Sequence, residues 1–232
     1  MLVHGGGWRE GSKSQLEGLA RRLVGEGYVA ASVNYRLGAD GAYPASVADA
    51  RCALSFVQNH AAELGVDTRR IAVLGYSAGG YLASMLAVSD VTADCAEPLG
   101  ARPRAVIAVS APQNLGALSW ANDVQNYLGA PLAGNEARYA EASPVRLVKS
   151  GAAPYLLIHG DADLYVPVTH AQEMTAALVG QGNSADLLVL RGGGHVLNPG
   201  VSPDQLVAEE YALDSEEAWL AMRDFLKKSL AP

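Results

Sequence analysis

Short apolar runs recur along the chain, each followed by a glycine or polar break and then by a stretch with helical spacing. Residues 27–35, GYVAASVNY, read as a strand. In the next stretch Pro44 suits a first helical turn, and Val47, Ala50, Leu54, Val57, Ala61 and Leu64 fall on one face before Gly65 stops the helix. The pattern then predicts a strand over 69–77, a helix over 78–90, and strands over 104–112 and 153–160. A helix over 167–182 and a strand over 185–192 follow. The final helix covers 215–230, acidic at its start and carrying Lys227 and Lys228 near its end, which suits the helix dipole.

Strands apolar on both faces that alternate with helices indicate a parallel sheet covered on both sides. The prediction is a single α/β domain over residues 1–232, a three-layer sandwich around a mostly parallel sheet of about six strands. Residues 112–150 form a lid-like insertion. There Trp120, Tyr127, Leu128 and Tyr139 either line a substrate pocket or form a small helical cover, and the sequence leaves both open.

Composition narrows the functional classes. Apolar residues make up 50% and charged residues 18%, which describes a globular chain rather than a disordered one. The net charge of −7 comes without a Lys/Arg cluster, which argues against nucleic acid or an anionic membrane as partner. No apolar run is long enough to span a bilayer and no secretory signal is visible, so a cytoplasmic protein is expected. Cys52 lies on an apolar helix pattern and reads as a buried thiol, with a Cys52–Cys95 bridge left open. Neither cysteine has metal-ligand spacing, and no metal or cofactor is expected.

In a parallel α/β sheet the chemistry sits where strands end. After residues 71–74 comes Gly75-Tyr76-Ser77-Ala78-Gly79, a G-x-S-x-G turn between strand and helix. Such a turn presents the serine hydroxyl above the sheet and leaves the Ala78 N–H at a helix start, aimed where an oxyanion forms. A serine nucleophile needs a base, and the base an orienting carboxylate. Two strand ends supply them: His159-Gly160-Asp161-Ala162-Asp163, and Arg191 followed by three glycines and His195. Ser77, Asp163 and His195 are thus the candidate catalytic residues, in the chain order nucleophile, acid, base.

The rivals read otherwise. His60 and His170 lie in helices and read as surface residues, and His159 braces its loop. Asp161 serves the turn, and Asp49 is structural or solvated. At the start of the chain, His4-Gly5-Gly6-Gly7-Trp8 follows the apolar Leu2 and Val3, the end of a strand. Glycines let backbone amides approach a bound carbonyl with no Cβ in the way. Gly6 and Gly7 are therefore the candidate oxyanion donors opposite Ala78, with His4 holding the loop.

Together HGGGW, NYRL, GYSAGG, HGDADLYVP and GGGH resemble the α/β-hydrolase superfamily. Within it the chain resembles the HGGG-type carboxylesterases: the hormone-sensitive-lipase-like group and its bacterial carboxylesterase and feruloyl or acetylxylan esterase relatives. The resemblance implies hydrolysis of carboxylic esters through an acyl-enzyme, with a small-molecule ester as partner and no cofactor. An amidase, formamidase or peptidase of the same fold, and a binding protein on an inactive scaffold, are the alternatives. Relatives carry a few dozen residues ahead of the HGGG loop. The expectation is thus a sheet reduced at its N-terminal edge, an open site that favours short-chain esters, and an exposed edge through which a homodimer could form.

Overall fold

Successive side chains of a strand point to opposite faces of its sheet, so a strand covered on both sides needs apolar residues at every position. The strand Ala105–Val109 is buried throughout. Its Val106 enters one apolar cluster, and Ala105, Ile107 and Val109 enter another on the opposite face. This computed structural model describes residues 1–118, 121–197 and 215–231.

The strands are β1 (Leu2–Val3), β2 (Ser32–Val33), β3 (Ala72–Tyr76), β4 (Ala105–Val109), β5 (Tyr155–Gly160) and β6 (Ala185–Leu190). They form one sheet in the order β2-β1-β3-β4-β5-β6, with every neighbouring pair parallel. The sheet is therefore wholly parallel where a mostly parallel one was predicted. The strand predicted over 27–35 contracts to Ser32–Val33, the two residues that face Leu2 and Val3. At the other edge β6 is only partly covered.

One face of the sheet carries α1 (Glu17–Gly25) and α9 (Glu216–Ser229), through Leu19, Leu23, Trp219, Met222 and Phe225. The other carries α2 (Ala45–Asn59), α4 (Ala78–Val88) and α8 (Thr169–Gly180). A single turn, α3 (Ala61–Leu64), follows α2. Helix α4 is buried at every position, which explains its nearly unbroken apolar sequence. Helix α1 was not among the predicted elements, although Leu16, Leu19 and Leu23 carry its spacing. Among the described residues no helix is long and apolar enough to cross a membrane.

Between β4 and β5 lie α5 (Asn122–Leu128), α6 (Glu136–Glu141) and α7 (Pro144–Leu147). Leu128 and Tyr139 are buried in the core, as in the helical-cover reading, Tyr127 is buried but also borders a cavity, and Trp120 lies outside the described residues. Of the two readings left open for Cys52, a buried thiol or a bridge to Cys95, the structure shows the bridge. Cys52 is half-covered on α2, and the bond joins it to Cys95 in the 89–104 connection. Gln58 Nε2 donates to Ala101 O (3.0 Å) and Asn59 Nδ2 to Pro98 O (2.8 Å), tying down the same segment.

Candidate active site

Ser77 sits between the end of β3 and the start of α4, with φ 52° and ψ −122°. A non-glycine residue at positive φ is strained, and strain of this kind persists only where the surroundings over-determine it. The tight approach of α4 to β1 does so here. A Cβ built at Gly79 would lie 2.1 Å from Val3 O and 2.3 Å from His4 O, so only glycine lets the helix start this close to the sheet.

The three predicted side chains meet at this point. Ser77 Oγ is 3.0 Å from His195 Nε2, and His195 Nδ1 is 2.8 Å from Asp163 Oδ2. A carboxylate only accepts, so Nδ1 carries the proton and Nε2 is left to accept from the serine hydroxyl. Asp163 Oδ1 accepts from Tyr165 N and Val166 N, both at 2.9 Å. Burial works against the charge of Asp163. Donors from His159, His195 and Val166 outweigh it and hold the carboxyl well below the usual range. Tyr76, which sequence reasoning gave no role, donates from its hydroxyl to His195 O at 3.0 Å and so anchors His195 from β3.

The competing residues separate as their local bonds dictate. Asp161 is exposed and accepts from Gly192 N (2.6 Å), a turn contact. Asp49 pairs with Arg36. His60 is half-buried between Glu63 and Glu97. His170, predicted to be exposed, is instead 2% exposed. Its Nδ1 accepts from Gln113 N (3.1 Å) and Asn114 N (3.2 Å). Burial, with a smaller contribution from His159, pushes its pKa down to about 4. The helical face of His170 turns toward the β4–β5 connection, which its own periodicity did not reveal.

The glycine loop lies against Ser77: a Cβ at Gly5 would be 3.2 Å from Ser77 Cβ. His4 is fully buried, stacks on Tyr35 at 4.4 Å, and donates from Nδ1 to Gly5 O at 2.7 Å. The Tyr35 hydroxyl donates to His4 O at 3.0 Å, the role of the NYRL segment that sequence reasoning left unassigned. Trp8 pins the far end by stacking on Tyr127, 4.2 Å between ring centres. Gly6 has φ 108°, and a Cβ there would lie 2.1 Å from Glu10 O. Its carbonyl accepts from Arg9 N and Glu10 N, while the Gly6 and Gly7 N–H groups donate to nothing among the described residues. The Ala78 N–H, in the first turn of α4, likewise has no intrahelical acceptor. A cavity of about 560 Å³ opens beside the loop, lined by Gly7, Trp8, Arg9, Asp123, Tyr127 and Pro131 among others. Among the described residues no acidic, histidine or cysteine cluster could hold a metal ion.

The family model BD-FAE matches residues 1–178. The chain belongs to the BD-FAE family. It is 28% identical to the esterase LipQ of Mycobacterium tuberculosis (strain ATCC 25618 / H37Rv) over 186 residues, 76% of this chain and 44% of LipQ. It is also 28% identical to the esterase LipC of the same strain over 211 residues, 84% of this chain and 52% of LipC. This BD-FAE chain thus spans about half the length of these curated relatives. Among solved structures it is similar to Est2, a thermophilic esterase from the Planctomycetes species Thermogutta terrifontis. The native form has a TM-score of 0.81 and 29% identity, over 100% of this chain and 82% of that one. Est2 has also been solved bound to butyrate (TM-score 0.78, 26% identity, 100% and 84% covered). A further form is phosphorylated by paraoxon (TM-score 0.76, 27% identity, 100% and 83% covered). The fold is that of the α/β-hydrolase esterases.

Proposed function

We propose that this BD-FAE protein is a serine carboxylesterase that hydrolyses small, short-chain esters through an acyl-enzyme. The observation that carries the reading is the unbroken chain from Ser77 Oγ through His195 to Asp163, at 3.0 and 2.8 Å. It lies against a glycine loop with free amides. In this mechanism His195 Nε2 takes the proton of Ser77 as Oγ attacks the ester carbonyl. The amides of Gly6, Gly7 and Ala78 receive the oxyanion, each worth ~10²–10³ in kcat. His195 then protonates the leaving alcohol, and a water activated by the same nitrogen releases the acid. Asp163 stays ionised throughout and holds the imidazole in the productive tautomer.

Support for ester chemistry comes from the esterase names of LipQ, LipC and Est2. Covalent capture of Est2 by paraoxon supports an acyl-enzyme route, and its butyrate complex supports short acyl groups.

The test is hydrolysis of p-nitrophenyl acetate, butyrate and a long-chain ester by the wild type and Ser77→Ala. The expected result is turnover by the wild type, highest kcat/KM for the short esters, and a loss of ~10⁴–10⁶ in kcat for Ser77→Ala. Activity that survives Ser77→Ala, or a preference for the long-chain ester, refutes the reading. A matching anilide decides between ester and amide hydrolysis.

A further inference from the structure

His159 is a buried imidazole at this end of the sheet that the reaction as drawn does not use. It stands one residue from the end of β5 and is 1% exposed. Its Nε2 lies 2.7 Å from Val166 O and 3.2 Å from Asp163 Oδ2. A carbonyl oxygen only accepts, so Nε2 carries a hydrogen. The same nitrogen also comes within 3.2 Å of the carboxylate oxygen that receives His195 Nδ1 at 2.8 Å, close enough for its N–H to act on that oxygen's charge. An imidazole that merely braced the loop would need only the bond to Val166 O. The second contact reaches the carboxylate oxygen that holds His195 in the proposed mechanism.

We propose that His159 is a positioning residue for the reaction, a second imidazole whose Nε2–H holds Asp163 Oδ2 beside His195 and shares its negative charge. This rests on the esterase reading above and deepens it. Asp163 is then held on all sides: Oδ1 by the amides of Tyr165 and Val166, and Oδ2 by His159 and His195. Freed of the His159 donor, Oδ2 would turn its full charge on His195 and gain room to swing. The remaining ionisable groups near the pair are fixed elsewhere. His170, on α8, accepts from Gln113 N and Asn114 N, and Glu173 accepts from Asn114 Nδ2. Asp161 accepts from Gly192 N, the Tyr76 hydroxyl donates to His195 O, and the Tyr165 ring lies 5.7 Å from the His195 ring. None of these supplies a substitute donor to Oδ2.

The experiment compares His159→Phe, which keeps an aromatic ring and loses the donor, with His159→Gln, whose Nε2 can restore it. The pH profiles of kcat/KM and kcat are measured with p-nitrophenyl butyrate, per active site titrated with paraoxon. For His159→Phe the expected result is kcat lower by about 10-fold and KM within about twofold. Its acid limb should move up by about half a pH unit, because the carboxylate acts more strongly on the base. His159→Gln should recover most of both changes. The proposal is overturned if His159→Phe keeps the limb and the rate, or if Gln is no better than Phe. Should the Phe variant not fold, imidazole ¹⁵N spectra of the unmutated protein decide: His159 Nε2 found unprotonated near neutral pH overturns the proposal, and a protonated Nε2 whose resonance shifts in Asp163→Asn supports it. Activity surviving in Ser77→Ala would sink the esterase mechanism instead, and the ¹⁵N spectra would still report on the His159 contact.

Discussion

Replacing Asp163 by Asn keeps the shape of the side chain but turns one of its oxygens into a donor, and the surroundings leave the new amide no comfortable orientation. With its NH₂ on the Oδ1 side it would face the N–H groups of Tyr165 and Val166, both now bonded at 2.9 Å. Two buried backbone donors would lose their acceptor, at a cost of ~1–3 kcal/mol each. With NH₂ on the Oδ2 side it meets one fixed donor, His159 Nε2, which keeps its bond to Val166 O. His195 can adapt there by moving its proton from Nδ1 to Nε2. That second orientation is cheaper for the fold and ruinous for the chemistry, because Nε2–H then faces Ser77 Oγ and cannot take its proton. Loss of the tautomer should lower kcat by ~10⁴, equivalent to about 5 kcal/mol in the barrier. KM for a small ester should change little. The assay is steady-state hydrolysis of p-nitrophenyl butyrate at pH 7–8, with thermal melting to show that the variant stays folded. A folded Asp163→Asn enzyme that retains more than about a hundredth of the wild-type kcat refutes the tautomer argument and with it the assignment of Asp163.

Two further outcomes follow from features away from Ser77. The Cys52–Cys95 bond closes a sequence separation of 43 residues, worth about 4 kcal/mol by loop entropy, so Cys52→Ser/Cys95→Ser should melt about 10 °C lower. It ties down the 89–104 connection, which enters β4 at the end of the sheet remote from Ser77, so kcat should not change; an unaltered melting temperature refutes the staple. His170 has a folded pKa of about 4 against an unfolded value near 6.5, so the unfolded chain binds the extra proton between those values. Stability from this group is full above pH 6.5 and falls by about 3 kcal/mol as pH drops toward 4. Urea melts at pH 7, 5.5 and 4.5 should show that loss in the wild type and a smaller one in His170→Gln, a comparison that cancels the opposite contribution of His60, whose pKa is raised by its hydrogen bonds to Glu97 and Glu63.

What the sequence revealed and what it hid divide along one physical line. The G-x-S-x-G turn is local: the glycines and the strained serine that it requires lie within five residues of each other, so the sequence alone announces it. Asp163 and His195 are legible because a parallel sheet delivers every strand end to one edge, and their strands are long and apolar. The short strand β2 was overdrawn, because periodicity reports what could pair, and pairing stops where the facing strand offers only Leu2 and Val3. The histidines show the same limit more sharply. His60 and His170 both sit in helical patterns with polar neighbours, yet one lies half-covered between two glutamates and the other caps two backbone amides in the interior. Apart from Glu63, one helical turn from His60, the groups that decide come from residues 97, 113 and 114, outside both helices. His159 was legible as a loop brace from its neighbours in the chain, and its bond to Val166 O is such a bond. Its approach to Asp163 Oδ2 depends on the loop turning back on itself over four residues. Local sequence therefore located the side chains that meet at the strand ends, whereas their electrostatic setting was written in contacts that only the folded chain brings together.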